Sequence, residues 1–129
     1  MSFFTNLFGN SEEGNSSKVA WRMLTDLGQL NELIELSHQQ PVLIFKHSTR
    51  CSISRFALKT FENEYDFTAE ELQPYFLDLL QYRTISNEIA HRFGVMHHSP
   101  QILMIKEGKC VYDESHDGIE VEGLKRFLG

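Results

Sequence analysis

The apolar positions of this chain switch repeatedly between a period of two and a period near 3.6. Val19–Leu24 alternates, with Val19, Trp21 and Met23 on one side, and predicts a short strand. Leu27, Leu30, Leu33 and Ile34 recur at helical spacing. Asp26 stands as their N-cap, with Gln29 three residues on to return the hydrogen bond. Pro41 opens the unbroken run Val42-Leu43-Ile44-Phe45, the pattern of a central strand buried on both faces. Ile53, Phe56, Ala57 and Phe61 predict the apolar face of a second helix. Pro74–Leu80 predicts another strand, broken by Asp78. A third helix is predicted with Thr84 as cap, Ile85, Ile89, Ala90 and Phe93 as its face and Gly94 as its stop. Ile102–Ile105, the turn Lys106-Glu107-Gly108 and Lys109–Tyr112 predict a hairpin. Val121, Leu124, Phe127 and Leu128 predict a last amphipathic helix.

The predicted order is β-α-β-α-β-α-β-β-α. Such alternation implies an α/β domain: a central sheet with parallel crossovers and helices on both faces, made mixed by the terminal hairpin. No internal repeat is found. Residues 9–18 are all polar or Gly, and follow a tip carrying Phe3, Phe4, Leu7 and Phe8. Residues 1–18 therefore read as a flexible N-terminal segment, and 19–129 as one domain. A chain of 129 residues can bury a real core. The net charge of −6 argues against nucleic-acid binding, which needs a basic face. No apolar stretch approaches the ~20 residues of a membrane span, and the N-terminus lacks the charged region of a secretion signal. The expected compartment is the reducing cytoplasm, where two cysteines are free or catalytic rather than bridged.

Cys51 is the candidate for chemistry. It lies in Phe45-Lys46-His47-Ser48-Thr49-Arg50-Cys51-Ser52-Ile53-Ser54, where an apolar run ends, turns and opens a helix. A thiol at that junction faces unpaired helix N–H groups and the positive end of the dipole. Arg50 is adjacent, with His47 and Arg55 nearby. Both effects favour the thiolate, which is the form that attacks disulfides. The competing reading is a small buried hydrophobe, against which stands the polar Ser48-Thr49 approach. Ser54 sits where a second thiol would resolve the exchange, and a hydroxyl cannot. An external thiol must then finish the cycle, which points to mixed disulfides between proteins and a small thiol. The plainer reading of Ser54 is a solvent-facing helix residue with a weak hydrogen bond to Cys51.

The element order, with a reactive Cys after the second strand and Pro100 before the hairpin, resembles the thioredoxin fold over roughly residues 19–128. The wording of Ser48-Thr49-Arg50-Cys51-Ser52-Ile53-Ser54 and of Phe93-Gly94-Val95-Met96-His97-His98-Ser99-Pro100-Gln101 resembles the YtxJ-type monothiol bacilliredoxins of the bacillithiol system, also described as general stress proteins. Two positions depart from the patterns. Ser52 stands where Cys-Pro-x-Ser members carry Pro. Phe45 stands where dithiol thioredoxins bury an Asp that helps a second Cys ionise, and with Ser54 in that second place its absence is consistent. The resemblance implies a cis Ser99–Pro100 bond, with Ser99 offering its backbone to the bound chain or thiol as one rung of β-pairing. It also puts Cys110 at the far end of the sheet, beyond the ~5.5–6 Å Cα spacing of a disulfide with Cys51, in a structural role.

The activity implied is thiol–disulfide exchange. Cys51 attacks the mixed disulfide of an S-thiolated client protein, the client leaves reduced, and Cys51 holds the small thiol until a second small thiol or a reductase regenerates it. Bacillithiol is the co-substrate by resemblance, with no tightly bound cofactor; glutathione and coenzyme A satisfy the same residues. Around Cys51, the thiolate-stabilising or substrate-binding set is Arg50, His47, Thr49, Ser52, Ser54, His98, Ser99 and Pro100. Arg50 can acidify Cys51 or pair with a carboxylate on the small thiol; otherwise it is a solvated loop charge. His97 and His98 can shuttle a proton to a leaving thiolate, or are polar loop residues. None of the tight Cys/His spacings of a metal site is present, so no metal is expected. Trp21 reads as core, and Arg83 and Arg92 as helix-surface charges. A different class also fits a single Cys: a glutaredoxin-like iron–sulfur module, whose members show Cys-Gly-Phe-Ser where this chain has Cys51-Ser52-Ile53-Ser54. A redox-silent adaptor binding peptides beside Pro100 is the remaining alternative.

Overall fold

The computed structural model describes residues 18–128. Their order is β1 (Arg22–Met23), α1 (Gly28–Leu36), β2 (Val42–His47), α2 (Ser52–Glu64), β3 (Gln73–Asp78), α3 (Arg83–Phe93), β4 (Gln101–Lys106) and β5 (Lys109–Ser115). Two 3₁₀ segments follow, His116–Gly118 and Glu122–Phe127. The strands lie in the order β1-β3-β2-β4-β5. β1, β3 and β2 run parallel, while β4 is antiparallel to β2 and to β5.

The apolar run of β2 is covered on both sides, as its composition requires. Leu43 and Phe45, with Ile102 and Met104 of β4, pack against Phe61 of α2 and against Tyr65, Val121 and Leu124. Val42 and Ile44, with Leu103 and Ile105, pack against Leu30 and Leu33 of α1 and Ile85 and Ile89 of α3. The same alternation, carried two residues further, sends His47 towards α2 and Lys46 towards α3. The place where thioredoxins keep an acid is filled by aromatic packing: the Phe45 ring lies 5.8 Å from that of Trp21 and 5.4 Å from that of Phe61, both edge-on.

Local signals are visible in three places. Asp26 accepts the Gln29 N–H at 3.3 Å, and Gln29 Oε1 accepts the Asp26 N–H at 3.1 Å, a reciprocal pair at the start of α1, although the N-cap position itself falls to Leu27, one residue later than expected. Gly94 ends α3 with φ +65°, and the next N–H returns to Ala90. Glu107 and Gly108, at φ +52° and +76°, make the two-residue turn between β4 and β5.

Elsewhere the elements differ from expectation. The first strand is two residues long rather than six, and Met23 is exposed while Leu24 is buried. It is an edge strand whose pairing with β3 covers only Arg22 and Met23. α3 starts at Arg83, so Thr84 is inside the helix and not its cap; the Tyr82 carbonyl accepts the first N–H groups instead. The third strand ends at Asp78, whose carboxylate accepts the Leu80 N–H and turns the chain. The hairpin turn spares Lys106, which belongs to β4, and β5 runs on to Ser115. The last helix is 3₁₀, not α. Gly123 there sits so close to the Tyr112 hydroxyl that a Cβ would stand 2.5 Å from it, an approach to β5 that a larger residue would not allow without a shift of the tyrosine. The expected flexible segment lies outside the described residues except for Lys18, whose ammonium donates to the Asn63 carbonyl at 2.7 Å.

Candidate active site

The antiparallel pairing of β2 with β4 brings the two loops of interest to one end of the sheet. Lys46 pairs with Gln101, and residues 47–51 and 97–100 continue outward from that rung. The Ser99–Pro100 peptide is cis. Cys51 occupies the N-cap of α2 in an extended conformation, φ −102° and ψ 121°. Its N–H donates to the Ser48 carbonyl at 3.2 Å, and its own carbonyl accepts the Arg55 N–H at 3.0 Å. The sulfur itself makes no capping hydrogen bond and is half-buried. Thr49, Arg50 and Ser52 are exposed around it. The guanidinium that braces the loop is that of Arg55, which donates to the Thr49 carbonyl at 3.0 Å.

Ser54 departs most from its expected place. It is fully buried rather than solvent-facing, and its bonds go to His47 and Ser48 rather than Cys51. Ser54 Oγ accepts the Ser48 N–H at 3.1 Å and lies 2.8 Å from His47 Nδ1. The hydroxyl can donate to Nδ1 of a ring protonated on Nε2, or accept from one protonated on Nδ1. Burial between Phe45 and Phe76 holds the His47 pKa below its ordinary value, with Asp78 and Glu62 pulling the other way and Arg55 adding to the burial effect. His47 thus reaches the Cys51 loop through Ser54.

Turning Ser54 inward rotates α2. The expected face of Ile53, Phe56, Ala57 and Phe61 is split: Phe61 is core, but Ile53 and Phe56 are 64% and 74% exposed. They are three residues apart, on the first turns of the helix that Cys51 caps. Met96, in the loop before Pro100, is 76% exposed.

The cis-proline loop is held from inside. Gln101, fully buried, donates from Nε2 to the Met96 carbonyl at 3.0 Å and accepts the His98 N–H at 3.4 Å. Lys46, also fully buried, lies 3.2 Å from His97 Nδ1 and donates to the Ser86 carbonyl at 3.2 Å. The His98 ring lies edge-on to His116 at 5.6 Å, and the His116 N–H donates to the Pro100 carbonyl at 3.0 Å. Ser99 precedes the first paired residue of β4, so its backbone is outside the ladder. Among the described residues, Ser99 Oγ is the one buried side-chain polar atom without a hydrogen-bond partner. Sequence reasoning missed Lys46, Gln101, Ser86 and the bracing role of Arg55. The available signal was a lysine that the strand period turns inward.

Burial brings the Lys46 ammonium down to about 8. Between pH 8 and 10.5 the unfolded chain binds the proton that the folded chain has lost, so this group makes stability rise with pH there. Urea unfolding of wild type and Lys46→Met at pH 7 and pH 9.5 should show the wild type gaining relative to the variant. Equal stability changes in the two proteins would contradict the buried ammonium.

Cys110 is at the other end of the sheet. It pairs with Ile105, which pairs with Val42, five residues before His47 and so on the order of 16 Å away along the strand. Burial pushes its thiol up to about 11, and Sγ–H donates to the Tyr112 carbonyl at 3.4 Å. Both cysteines are free. Among the described residues no cluster of three or more His, Cys, Asp or Glu is placed to hold a metal ion, and no helix is long and apolar enough to cross a membrane.

Known proteins agree with this geometry. A thioredoxin-fold structure, itself proposed to be an oxidoreductase, matches 81% of this chain and 89% of its own at 30% identity and a TM-score of 0.68. The thioredoxin of Malassezia sympodialis matches at 16% identity, 89% and 93% coverage and a TM-score of 0.64. The Nicotiana alata thioredoxin NaTrxh does so at 14%, 89% and 95%, and 0.66. The latter two establish the fold alone. The family described as monothiol bacilliredoxin BrxC matches residues 22–124, which include Cys51, Ser54 and the cis-proline loop. A lone cysteine at a helix start, a serine three residues on and a thioredoxin fold therefore have one family behind them: this chain belongs to the monothiol bacilliredoxins, thiol oxidoreductases of the thioredoxin fold.

Proposed function

We propose that this protein removes a small thiol, bacillithiol in the first instance, from S-thiolated client proteins. The observation that carries the reading is the isolation of Cys51: Ser54 fills the resolving position and faces inward, and Cys110 is at the opposite end of the sheet. The Cys51 thiolate attacks the small-thiol sulfur of the mixed disulfide. That bond breaks, the client sulfur leaves as thiolate and takes a proton, and Cys51 carries the small thiol as a new disulfide. A second molecule of small thiol attacks that adduct through its thiolate. It releases the oxidised small-thiol dimer and returns Cys51 to thiolate, so the two electrons come from the small thiol. The small thiol is a co-substrate; no tightly bound cofactor enters. A reducing compartment such as the cytoplasm suits this cycle.

Ser99, outside the sheet beside cis-Pro100, supplies the free backbone rung for the bound chain. Exposed Ile53, Phe56 and Met96 suit a protein client rather than a small disulfide alone. Arg50, exposed and next to Cys51 in the chain, offers a cation for a carboxylate of the small thiol. The test offers one client protein loaded in turn with bacillithiol, glutathione and coenzyme A, and follows release of each thiol. Fastest release of bacillithiol supports the reading, and no release of any of them opposes it. Phe56→Asp should raise KM for the thiolated client roughly fivefold, the loss of about 1 kcal/mol of aromatic contact, with little change in kcat. Steady-state kinetics against client concentration measures this.

A further inference from the structure

Lys46 and Gln101 are cross-strand partners, both fully buried, and neither takes part in the exchange described above. Burying an ammonium and a carboxamide is costly unless their hydrogen bonds are recovered. The adjoining inward positions on that face, Ile44 and Leu103, show that an apolar pair fills such space without that cost. The polar atoms of the pair are spent on neither strand. They converge on three consecutive residues ahead of cis-Pro100. Gln101 takes the Met96 carbonyl and the His98 N–H. Lys46 takes His97 Nδ1 and is tethered to α3 through the Ser86 carbonyl.

An ammonium has protons and no lone pair, so His97 Nδ1 can only accept from it. The ring is thereby fixed as neutral, with its proton on Nε2. Ser86 Oγ, 3.3 Å from the same Nδ1, can donate alongside. Burial, and after it the charges of Lys46, Arg83 and His98 around this ring, oppose a second proton.

We propose that Lys46 and Gln101 are positioning residues for the exchange: they set the loop of Met96, His97 and His98 at the mouth of the site, and Lys46 locks His97 as the Nε2–H tautomer. The part concerning the exchange rests on the proposed function; the tautomer lock does not. Nitrogen-resolved histidine NMR of the full chain at pH 7 reads the lock without any variant. The expected spectrum shows His97 protonated on Nε2 alone, and a ring protonated on Nδ1 or averaging between tautomers overturns the lock. In Lys46→Met the fixed tautomer should be lost and the amides of residues 96–98 should shift. In Ser86→Ala, which keeps the lysine, the tautomer should persist; its loss there and not in Lys46→Met assigns the lock to the serine and overturns the proposal.

With a thiolated client, Lys46→Met should raise KM roughly tenfold as the loop loses its set position, with kcat changing less than KM. Unmoved kinetics beside a lost tautomer overturn the positioning role. A wild type that holds the tautomer but turns over no thiolated client supports the lock and defeats the exchange reading instead.

Discussion

Cys51→Ala is expected to reduce release of the small thiol from a thiolated client to the uncatalysed rate, a loss on the order of a thousandfold or more. Cys110→Ala is expected to stay within about twofold of wild type. The contrast follows from position. Cys51 caps a helix at the sheet end that carries cis-Pro100, while Cys110 pairs with Ile105 at the other end. With its thiol pushed up to about 11 by burial, Cys110 at pH 7 is thiolate in only about one molecule in ten thousand. No other sulfur can stand in for Cys51. Progress curves for the two variants, at equal protein and client concentration, measure the difference; substantial turnover by Cys51→Ala would remove the nucleophile from the account.

The second large effect is on folding. Ser54→Ala should cost about 2–3 kcal/mol, because it strips a partner from His47 Nδ1 and from the Ser48 N–H at a buried site. A surface serine near a helix start would cost far less. Urea unfolding at pH 7 reads the loss, and a change under about 0.5 kcal/mol would contradict the buried Ser54–His47 pair. Exchange should also slow in this variant, since Ser48 N–H is part of what fixes the turn leading to Cys51.

These two residues also show how far the chain could be read before its structure. The position of Cys51 was legible because three local signals coincide there: the end of an apolar run, polar turn residues and the start of a helix. Asp26 with Gln29, and Gly94, were legible for the same reason, since their partners lie within a few residues. The orientation of α2 was not. Ile53 and Phe56 share the spacing of Phe61, yet they face water while Ser54 turns inward to a histidine on the neighbouring strand. Lys46 and Gln101 were illegible for a related reason. A polar residue ending a strand normally reaches solvent, and their partners are fifty-one and three to five residues away in a loop. The final segment kept its apolar positions but wound as 3₁₀ rather than α, a difference that periodicity does not register.

The most direct test is intact-protein and peptide mass spectrometry after exposure to oxidised bacillithiol. A solitary exchanging sulfur predicts one bacillithiol adduct, on Cys51, with Cys110 unmodified. An adduct on Cys110, or a disulfide joining Cys51 to Cys110 with loss of the small thiol, would contradict it.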